Sequence, residues 1–183
     1  MKDYFLNTTR LGFSIWSETD LFDASELWGN PEVTKFISAD GKMTKEQVQQ
    51  RLNKEIETCI NVNIQYWPIY IIENNQNVGC CGLRPYDSEN NILEIGIHLK
   101  EKYWGKGLAK EACSAVIEYA FKTLRVNALF AGHNPKNIAS AQLLKKLGFT
   151  YTHDEYYPPT GLHHPSYLMN NKTTSANKSK QVE

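Results

Sequence analysis

A strand pattern, two closely spaced glycines and a long amphipathic helix pattern follow one another in the middle of the chain. In the run Ile92–Leu99, one face has the apolar residues Leu93, Ile95, Ile97 and Leu99, which is typical of a half-buried strand. From position 108 to 124, apolar residues recur about every four positions, as they do on the core-facing side of a helix. Gly105 and Gly107 stand between the two patterns. The sequence therefore predicts a strand that turns tightly into a helix.

This turn has the chemistry of an anion site. Glycines allow positive φ angles and let a ligand approach the backbone without meeting a Cβ. The first helical turn offers free N–H groups and the positive end of the helix dipole, and Lys102, Lys106 and Lys110 add charge nearby. The alternative interpretation is a structural turn without a ligand. A dinucleotide turn would have a third glycine at position 110, and a Walker loop would have Gly-Lys-Ser/Thr, so neither pattern is present.

Composition predicts one ordinary globular domain. The chain has 183 residues, with 41% hydrophobic and 22% charged residues, and 20 acidic side chains balance 20 basic ones. This balance disfavours nucleic acid or an anionic membrane surface as a partner. No run approaches the roughly 18 apolar residues of a membrane helix, and the first residues lack the apolar region of a signal peptide. We therefore expect a cytoplasmic domain over residues 1–170, followed by a polar disordered tail at 171–183.

The four cysteines carry no metal-site spacing. They are Cys59, Cys80, Cys81 and Cys113, without a Cys-x-x-Cys pair or a paired-histidine motif. A reduced protein without a metal is the simplest interpretation.

The remaining patterns predict an α/β fold, with seven strands and four helices in one domain. The predicted strands are residues 10–16, 66–73, 78–84, 92–99, 126–133, 149–157 and 166–170. The predicted helices are residues 20–28, 44–60, 108–124 and 138–147, with a further helical turn at 31–36. The strands on either side of the helix at 108–124 should be parallel, as in a strand-helix-strand crossover. We expect a mixed central sheet of about six to seven strands flanked by about four helices.

Two separated motifs resemble one known family. The stretch from Tyr103 to Ala112, read as Tyr-Trp-Gly-Lys-Gly-Leu-Ala-Lys-Glu-Ala, resembles the acetyl-CoA pyrophosphate loop of GNAT N-acetyltransferases. The similarity is greatest to the branch of ribosomal-protein N-terminal acetyltransferases. The second motif, Asn134-Pro-Lys-Asn-Ile-Ala-Ser140, is followed by Leu147-Gly-Phe149. With weaker similarities elsewhere, the resemblance covers roughly residues 8 to 170, and the two motifs stand in the order that the family shows.

The resemblance implies a sheet that splays open in its middle, with the pantetheine arm of acetyl-CoA paired to the central strand. The residues that it places at the cofactor are Ile97, His98 and Leu99 on the central strand, the turn residues Trp104, Gly105, Lys106, Gly107, Leu108 and Ala109, and Asn137 and Ser140. Simpler interpretations stay open for several of these. Asn137 suits a helix N-cap, Ser140 a solvated first-turn position, and the Trp104 ring packing alone. His98 is expected to be hydrogen-bonded rather than catalytic.

Two residues are candidates for catalysis. Glu94, on the less apolar face of the central strand, is the candidate general base, directly or through a water, against the alternative of a solvated carboxylate. Asp154 and Glu155 are reserves. Many family members have a tyrosine acid where this chain has Leu144, and Ser140 is the candidate to hydrogen-bond the leaving sulfur instead.

The resemblance implies direct transfer of an acetyl group from acetyl-CoA to an amine in a ternary complex. A protein or peptide α-amine fits the branch best, while a small amine, including an aminoglycoside, stays open. Aromatic and histidine residues near the last loop suggest an aromatic-walled cleft; they are Tyr156, Tyr157, His163 and His164. A non-catalytic acyl-CoA sensor and a nucleotide-binding module are the alternative functions. A homodimer is an expectation from family analogy alone.

Overall fold

The computed structural model describes residues 2–172, which form one mixed sheet with helices on both faces. Its strands are β1 (Leu6–Asn7), β2 (Leu11–Phe13), β3 (Tyr66–Ile71), β4 (Asn77–Asp87), β5 (Ile92–Leu99), β6 (Ala128–Gly132), β7 (Thr150–Tyr157) and β8 (Leu162–Asn170). Its helices are α1 (Leu21–Trp28), α2 (Pro31–Thr34), α3 (Lys45–Val62), α4 (Leu108–Lys122) and α5 (Ile138–Leu147). No helix within residues 2–172 combines the length and apolarity needed to cross a membrane.

The strand order in the sheet is β1-β2-β3-β4-β5-β6-β8-β7. Neighbouring strands are antiparallel except β5 and β6, which are parallel because α4 crosses over between them. Within the described residues the sheet has eight strands, one more than the seven patterns predicted. The additional strand is β1, whose two residues are too few to show a period. The α/β class and the parallel central pair are confirmed.

The ends of three predicted strands were wrong by three residues or more. The strand predicted to end at Arg84 continues to Asp87. The first strand was expected to run to Trp16, but β2 ends at Phe13, because the Trp16 backbone N–H donates to the Gln65 side chain at 2.8 Å instead of to a strand. The last strand was expected to begin at Ser166, but β8 begins at Leu162. Pro165 and two histidines there hide the alternation that marks a strand.

The helix ends follow their capping residues. Thr44 and Gln47 form the predicted capping box before α3, and the Asn137 side chain caps α5 by accepting from the Ser140 N–H at 3.1 Å. Gly148 ends α5 at a φ of 90°. The predicted tail lies outside the described residues from position 173 onward. Asn171 is buried, and its side chain donates to the Val126 carbonyl at 3.0 Å.

The two central strands separate part-way along their length. β6 pairs with β5 only from Ile92 to Glu94, whereas β4 pairs with β5 as far as Leu99. The Lys100 N–H donates to the Val78 carbonyl on the β4 side, and backbone groups alternate in direction along a strand. The N–H groups of Ile97 and Leu99 therefore point away from β4, into the gap left by β6. The sheet is splayed as the resemblance implied.

Behind the splayed region, a buried carboxylate joins α3 to the sheet. Glu55 is fully buried and accepts from Arg51 Nε at 2.8 Å, from the guanidinium of Arg84 and from the Tyr66 N–H at 2.9 Å. The Arg84 guanidinium lies 4.2 Å from the centre of the Tyr66 ring. One carboxylate thus fixes the positions of β3, β4 and α3 relative to one another.

Replacing Glu55 with Gln should destabilise the fold strongly. The amide keeps the shape but leaves two half-buried guanidinium groups without this counter-charge, which costs about 3 kcal/mol. We expect the melting temperature to fall by roughly 10 °C. The control is Glu118→Gln, which removes an exposed partner of Lys122 and should change stability by less than about 0.5 kcal/mol. Equal melting temperatures for the two variants would contradict this role of Glu55.

Candidate functional site

Two adjoining cavities open at the place where β5 and β6 separate. The turn cavity, about 320 Å³, lies between the end of β5, the glycine turn and α5. The carboxylate cavity, about 300 Å³, lies over Glu94 and between β4, β6 and β8. The residues that line both are Phe36, Ile37, Ile97, His98, Asn137, Ser140 and Leu143. A ligand in one cavity can therefore meet a ligand in the other at this shared wall.

The glycine turn has an unblocked helix end. Gly105 and Gly107 have φ angles of 72° and 77°, so both glycines are required by the backbone as predicted. No side chain caps the N-terminus of α4, in contrast to α3 and α5. Gly107, Leu108 and Ala109 line the turn cavity. The free N–H groups of the first turn of α4 are thus available to an anion in that cavity.

An ion pair attaches the glycine turn to β2. Arg10 Nε donates to Glu111 at 2.7 Å, and Arg10 Nη1 donates to the Lys106 carbonyl at 3.1 Å. Burial raises the pKa of the Glu111 carboxyl, but hydrogen bonds from Thr8 and Arg10 outweigh it and hold that pKa below its usual value. Sequence reasoning missed Arg10 as a support of this turn. Lys106, expected to contribute its backbone amide and a nearby charge, does not line the turn cavity. Its ammonium lies 5.4 Å from the Tyr103 ring instead.

The exposed edge of β5 and the first turn of α5 complete the turn cavity. Ile97, Leu99 and Trp104 line it on one side, and Asn137 and Ser140 on the other. The Trp104 ring was expected to pack, and in addition its indole N–H donates to the Leu99 carbonyl at 2.9 Å. The Leu99 carbonyl is therefore engaged, and the amides left for an extended ligand are those of Ile97 and the Leu99 N–H.

Glu94 lies in the carboxylate cavity with a partner that the sequence did not reveal. The Tyr66 hydroxyl donates to Glu94 Oε1 at 3.1 Å. The Tyr66 ring crosses β5 directly over Gly96, where an added Cβ would lie 2.3 Å from Tyr66 Cζ. Burial and the Glu94 charge raise the pKa of the Tyr66 phenol well above its usual value, so the phenol remains a hydrogen-bond donor.

Aromatic side chains form the far wall of the carboxylate cavity. A β-bulge at Tyr86 interrupts the pairing of β4 with β5, and the Tyr86 ring stacks on Phe130 with centroids 3.9 Å apart. Of the four residues proposed for an aromatic wall, Tyr157 and His164 line this cavity, and Tyr156 and His163 do not. Successive side chains of a strand point to opposite faces of the sheet, so only one residue of each neighbouring pair faces the cavity. Glu155 also lines the cavity, and Asp154 does not.

Comparison with known proteins now decides the family. Residues 10–150 match the family described as Acetyltransferase (GNAT) domain. The chain belongs to the GNAT acetyltransferase family. A Bacillus licheniformis protein named uncharacterized N-acetyltransferase p20 is 31% identical over 144 residues, which are 79% of this chain and 81% of that protein.

Solved structures share the fold. An acetyltransferase of the GNAT family from Bacillus anthracis has a TM-score of 0.79 and 24% identity, covering 91% of this chain and 98% of that one. A ribosomal L7/L12 alpha-N-protein acetyltransferase in complex with coenzyme A has a TM-score of 0.76 and 15% identity, covering 89% and 95%. At these identities, the likeness concerns the fold alone.

Leu144 stands at the position where, by the family resemblance, many members have a tyrosine acid. Leu144 is buried and lines the carboxylate cavity. Ser140 lines both cavities, and within the described residues its hydroxyl makes no hydrogen bond to another side chain. Among residues 2–172, no three His, Cys, Asp or Glu side chains cluster as metal ligands.

Gly96→Ala should disturb the Glu94 partner. The new methyl group overlaps the Tyr66 ring, so the ring must shift away from Glu94, at a cost of about 1–3 kcal/mol. Urea unfolding measures this loss. The matched control is Gly132→Ala on β6, where the nearest atom to the added Cβ is 3.6 Å away, an ordinary contact. If both variants unfold at the same urea concentration, Tyr66 does not depend on the missing Cβ at Gly96.

Proposed function

We propose that this protein is an N-acetyltransferase that transfers an acetyl group from acetyl-CoA to a primary amine. One observation carries the proposal: the uncapped N-terminus of α4 and the open edge of β5 lie along one cavity, which meets a second cavity containing a carboxylate. The first arrangement suits a long ligand with both phosphate and amide groups. The second suits an amine. Membership of the GNAT family supports both the acetyl-CoA donor and the amine acceptor.

The residues of the turn cavity fit acetyl-CoA. The N–H groups from Gly107 to Ala109 suit the pyrophosphate, because they are oriented donors at the positive end of α4. No atom lies within 4 Å of an added Cβ at Gly105, so the space above that residue is open. The backbone at Ile97 and Leu99 suits the amides of pantetheine, as a strand edge suits a peptide. Asn137 serves as the cap of α5 and also lines the same cavity.

Glu94 is the proposed general base. When acetyl-CoA is bound, it supplies an acetyl thioester next to the shared wall. The amine nitrogen bonds to the acetyl carbon, the carbon–sulfur bond breaks, and the amine loses a proton to Glu94 directly or through a water. Ser140 is the proposed hydrogen-bond donor to the leaving sulfur. A thiol pKa of about 8.5 allows this group to leave without a strong acid, which makes Leu144 compatible with turnover.

A protein or peptide α-amine is the proposed acceptor. An α-amine has a pKa of about 7.7–8.0, so a large fraction is neutral near pH 7.5 and a carboxylate is a sufficient base. The motif resemblance to ribosomal-protein acetyltransferases supports this choice, as does the named activity of the structural relative bound to coenzyme A. A small amine is the competing acceptor. The homodimer and the cytoplasmic location stay predictions.

Mass spectrometry of acceptors incubated with acetyl-CoA and the protein tests the function. Peptides with free N-termini should gain 42 Da, which is the mass of one acetyl group replacing a hydrogen, at the α-amine rather than at a lysine. The control is the same peptide with a blocked N-terminus, which should not react. Acetylation of small amines but of no peptide would overturn the acceptor proposal. Binding of CoA without any acetylated product would indicate a non-catalytic sensor.

Glu94→Gln should lower kcat/KM by about 10²-fold or more at neutral pH, because the amine loses its proton acceptor. The remaining activity should rise with pH as the amine becomes neutral by itself. Initial rates between pH 6 and 9 measure both effects. The control is Glu89→Gln, which removes the same charge from an exposed turn outside both cavities. Full turnover of the Glu94 variant across this range would exclude Glu94 as the base.

A further inference from the structure

The carboxylate cavity passes through the sheet. On one face, Tyr66 and its partner Glu94 line it, and Tyr66 packs into the core formed with α1 and α3. On the opposite face, Ile95 and Ile97 line it, and both pack into the core formed with α4 and α5. Neighbouring residues of a strand point to opposite faces, so the cavity reaches both faces through the gap between β5 and β6. It therefore has a second half behind the sheet.

This second half is an apolar recess. Its lining includes six side chains of the larger hydrophobic core, which are Ile97, Cys113, Ala131, Leu143, Leu144 and Leu147. The Cys113 sulfur lies 3.8 Å from the Cys81 sulfur, so it is already in contact inside the core. None of the six is an acidic, basic or amide side chain. A hydrocarbon chain gains from leaving water for such a lining, whereas an amine or a carboxylate would lose its hydrogen bonds there.

Residues of β5 and α4 lead from the turn cavity into the recess. On one face of β5, Leu99 lines only the turn cavity, Ile97 lines both cavities, and Ile95 lines only the carboxylate cavity. On α4, Ala109 lines the turn cavity, and Cys113, about one turn further along the helix, lines the recess. The recess thus continues the turn cavity along the same two elements.

Helix α5 shows the same order. Ala139 lines only the turn cavity, Ser140 lines both cavities, and Leu144 lines only the carboxylate cavity. Residues four positions apart are neighbours on a helix surface, with Cβ atoms about 5–6 Å apart. With the leaving sulfur at the Ser140 hydroxyl, as proposed above, the acyl group attached to that sulfur lies within about one helical turn of Leu144.

We infer that the recess binds the alkyl chain of the acyl donor, so that the protein uses propionyl-CoA and butyryl-CoA as well as acetyl-CoA. The amine approaches from the Glu94 face of β5, which leaves the opposite face to the chain. The reaction is otherwise unchanged: the amine nitrogen bonds to the acyl carbon, the carbon–sulfur bond breaks, CoA leaves as its thiolate, and the amine proton passes to Glu94. This inference rests on the proposed function and widens its donor class.

The test compares acyl donors with one saturating peptide acceptor. Each methylene group that is buried in the recess should strengthen binding about threefold to fourfold, so kcat/KM for butyryl-CoA should exceed that for acetyl-CoA by about tenfold. Propionyl-CoA should lie between them. A value for butyryl-CoA equal to or below that for acetyl-CoA would overturn the inference while leaving acetyl transfer intact.

Filling the recess should remove this preference. Leu144→Phe places a larger side chain next to the acyl group, so the ratio of kcat/KM for butyryl-CoA to that for acetyl-CoA should fall about tenfold or more. Leu147→Phe is the second variant, because Leu147 is only half-buried and a larger ring fits there with less strain. Melting temperatures check that both variants are folded.

The control for these variants is Ile138→Phe. Ile138 is an exposed residue of the same helix and lines neither cavity, so the ratio should keep its wild-type value. An unchanged ratio in both recess variants would contradict the inference.

The first side chain of the acceptor is the competing occupant of the recess. Peptides that begin with glycine and with leucine distinguish the two occupants. If Leu144→Phe changes the preference between these peptides but not the preference between butyryl-CoA and acetyl-CoA, the recess belongs to the acceptor and the inference is wrong.

Calorimetric titration without an acceptor gives a readout that does not require turnover. The wild-type protein should bind butyryl-CoA about tenfold more tightly than acetyl-CoA, with a more negative heat-capacity change, because more apolar surface is buried. Leu144→Phe should abolish both differences. Equal affinities in the wild type would overturn the inference. Binding of every acyl-CoA without any acylated peptide would instead refute the proposed function, and the measured affinities then decide on the recess alone.

Discussion

The site depends on the loss of pairing between β5 and β6 after Glu94. From that point, one edge of β5 has backbone donors and acceptors without a neighbouring strand, and such groups need partners. The Trp104 indole satisfies the Leu99 carbonyl from within the protein. The other groups remain for a ligand. The backbone amides of β5 point into the gap, whereas the side chains of Glu94 and His98 point out of the sheet plane, so the same strand presents different groups to the two cavities.

The glycine turn also leaves backbone groups without partners, at a cost in local stability. A side-chain cap would stabilise α4 by about 0.5–2 kcal/mol, and the chain uses such caps on α3 and α5. At α4 the N-cap is Gly107, which has no side chain to cap the helix. The ion pair between Arg10 and Glu111 holds the turn from outside instead. The turn is thereby fixed while its N–H groups stay free.

The sequence predicted those features of the fold that depend on residues close together in the chain. The alternation in β5, the stripe on α4 and the cap at Asn137 depend on neighbours in the sequence, and each lies where it was predicted. The pairing of Tyr66 with Glu94 joins positions 28 residues apart, which no period reveals. Two features of the sequence could have indicated these long-range contacts. Glu55 interrupts the apolar stripe of α3, and Gly96 lies inside a strand, where glycine often marks the close approach of another group.

The polar groups above β5 are costly to bury, and their arrangement explains why they are tolerated. Glu55 and Arg84 form a buried ion pair. Exchanging such a pair for apolar residues is often neutral or stabilising, so stability alone does not explain why these charged residues are present. Here the Arg84 guanidinium lies against the Tyr66 ring, and Tyr66 in turn reaches Glu94. Trp28 does the same for His98. Glu94 and His98 are thus each held by a buried partner before any ligand binds, which lowers the ordering cost of binding in the two cavities.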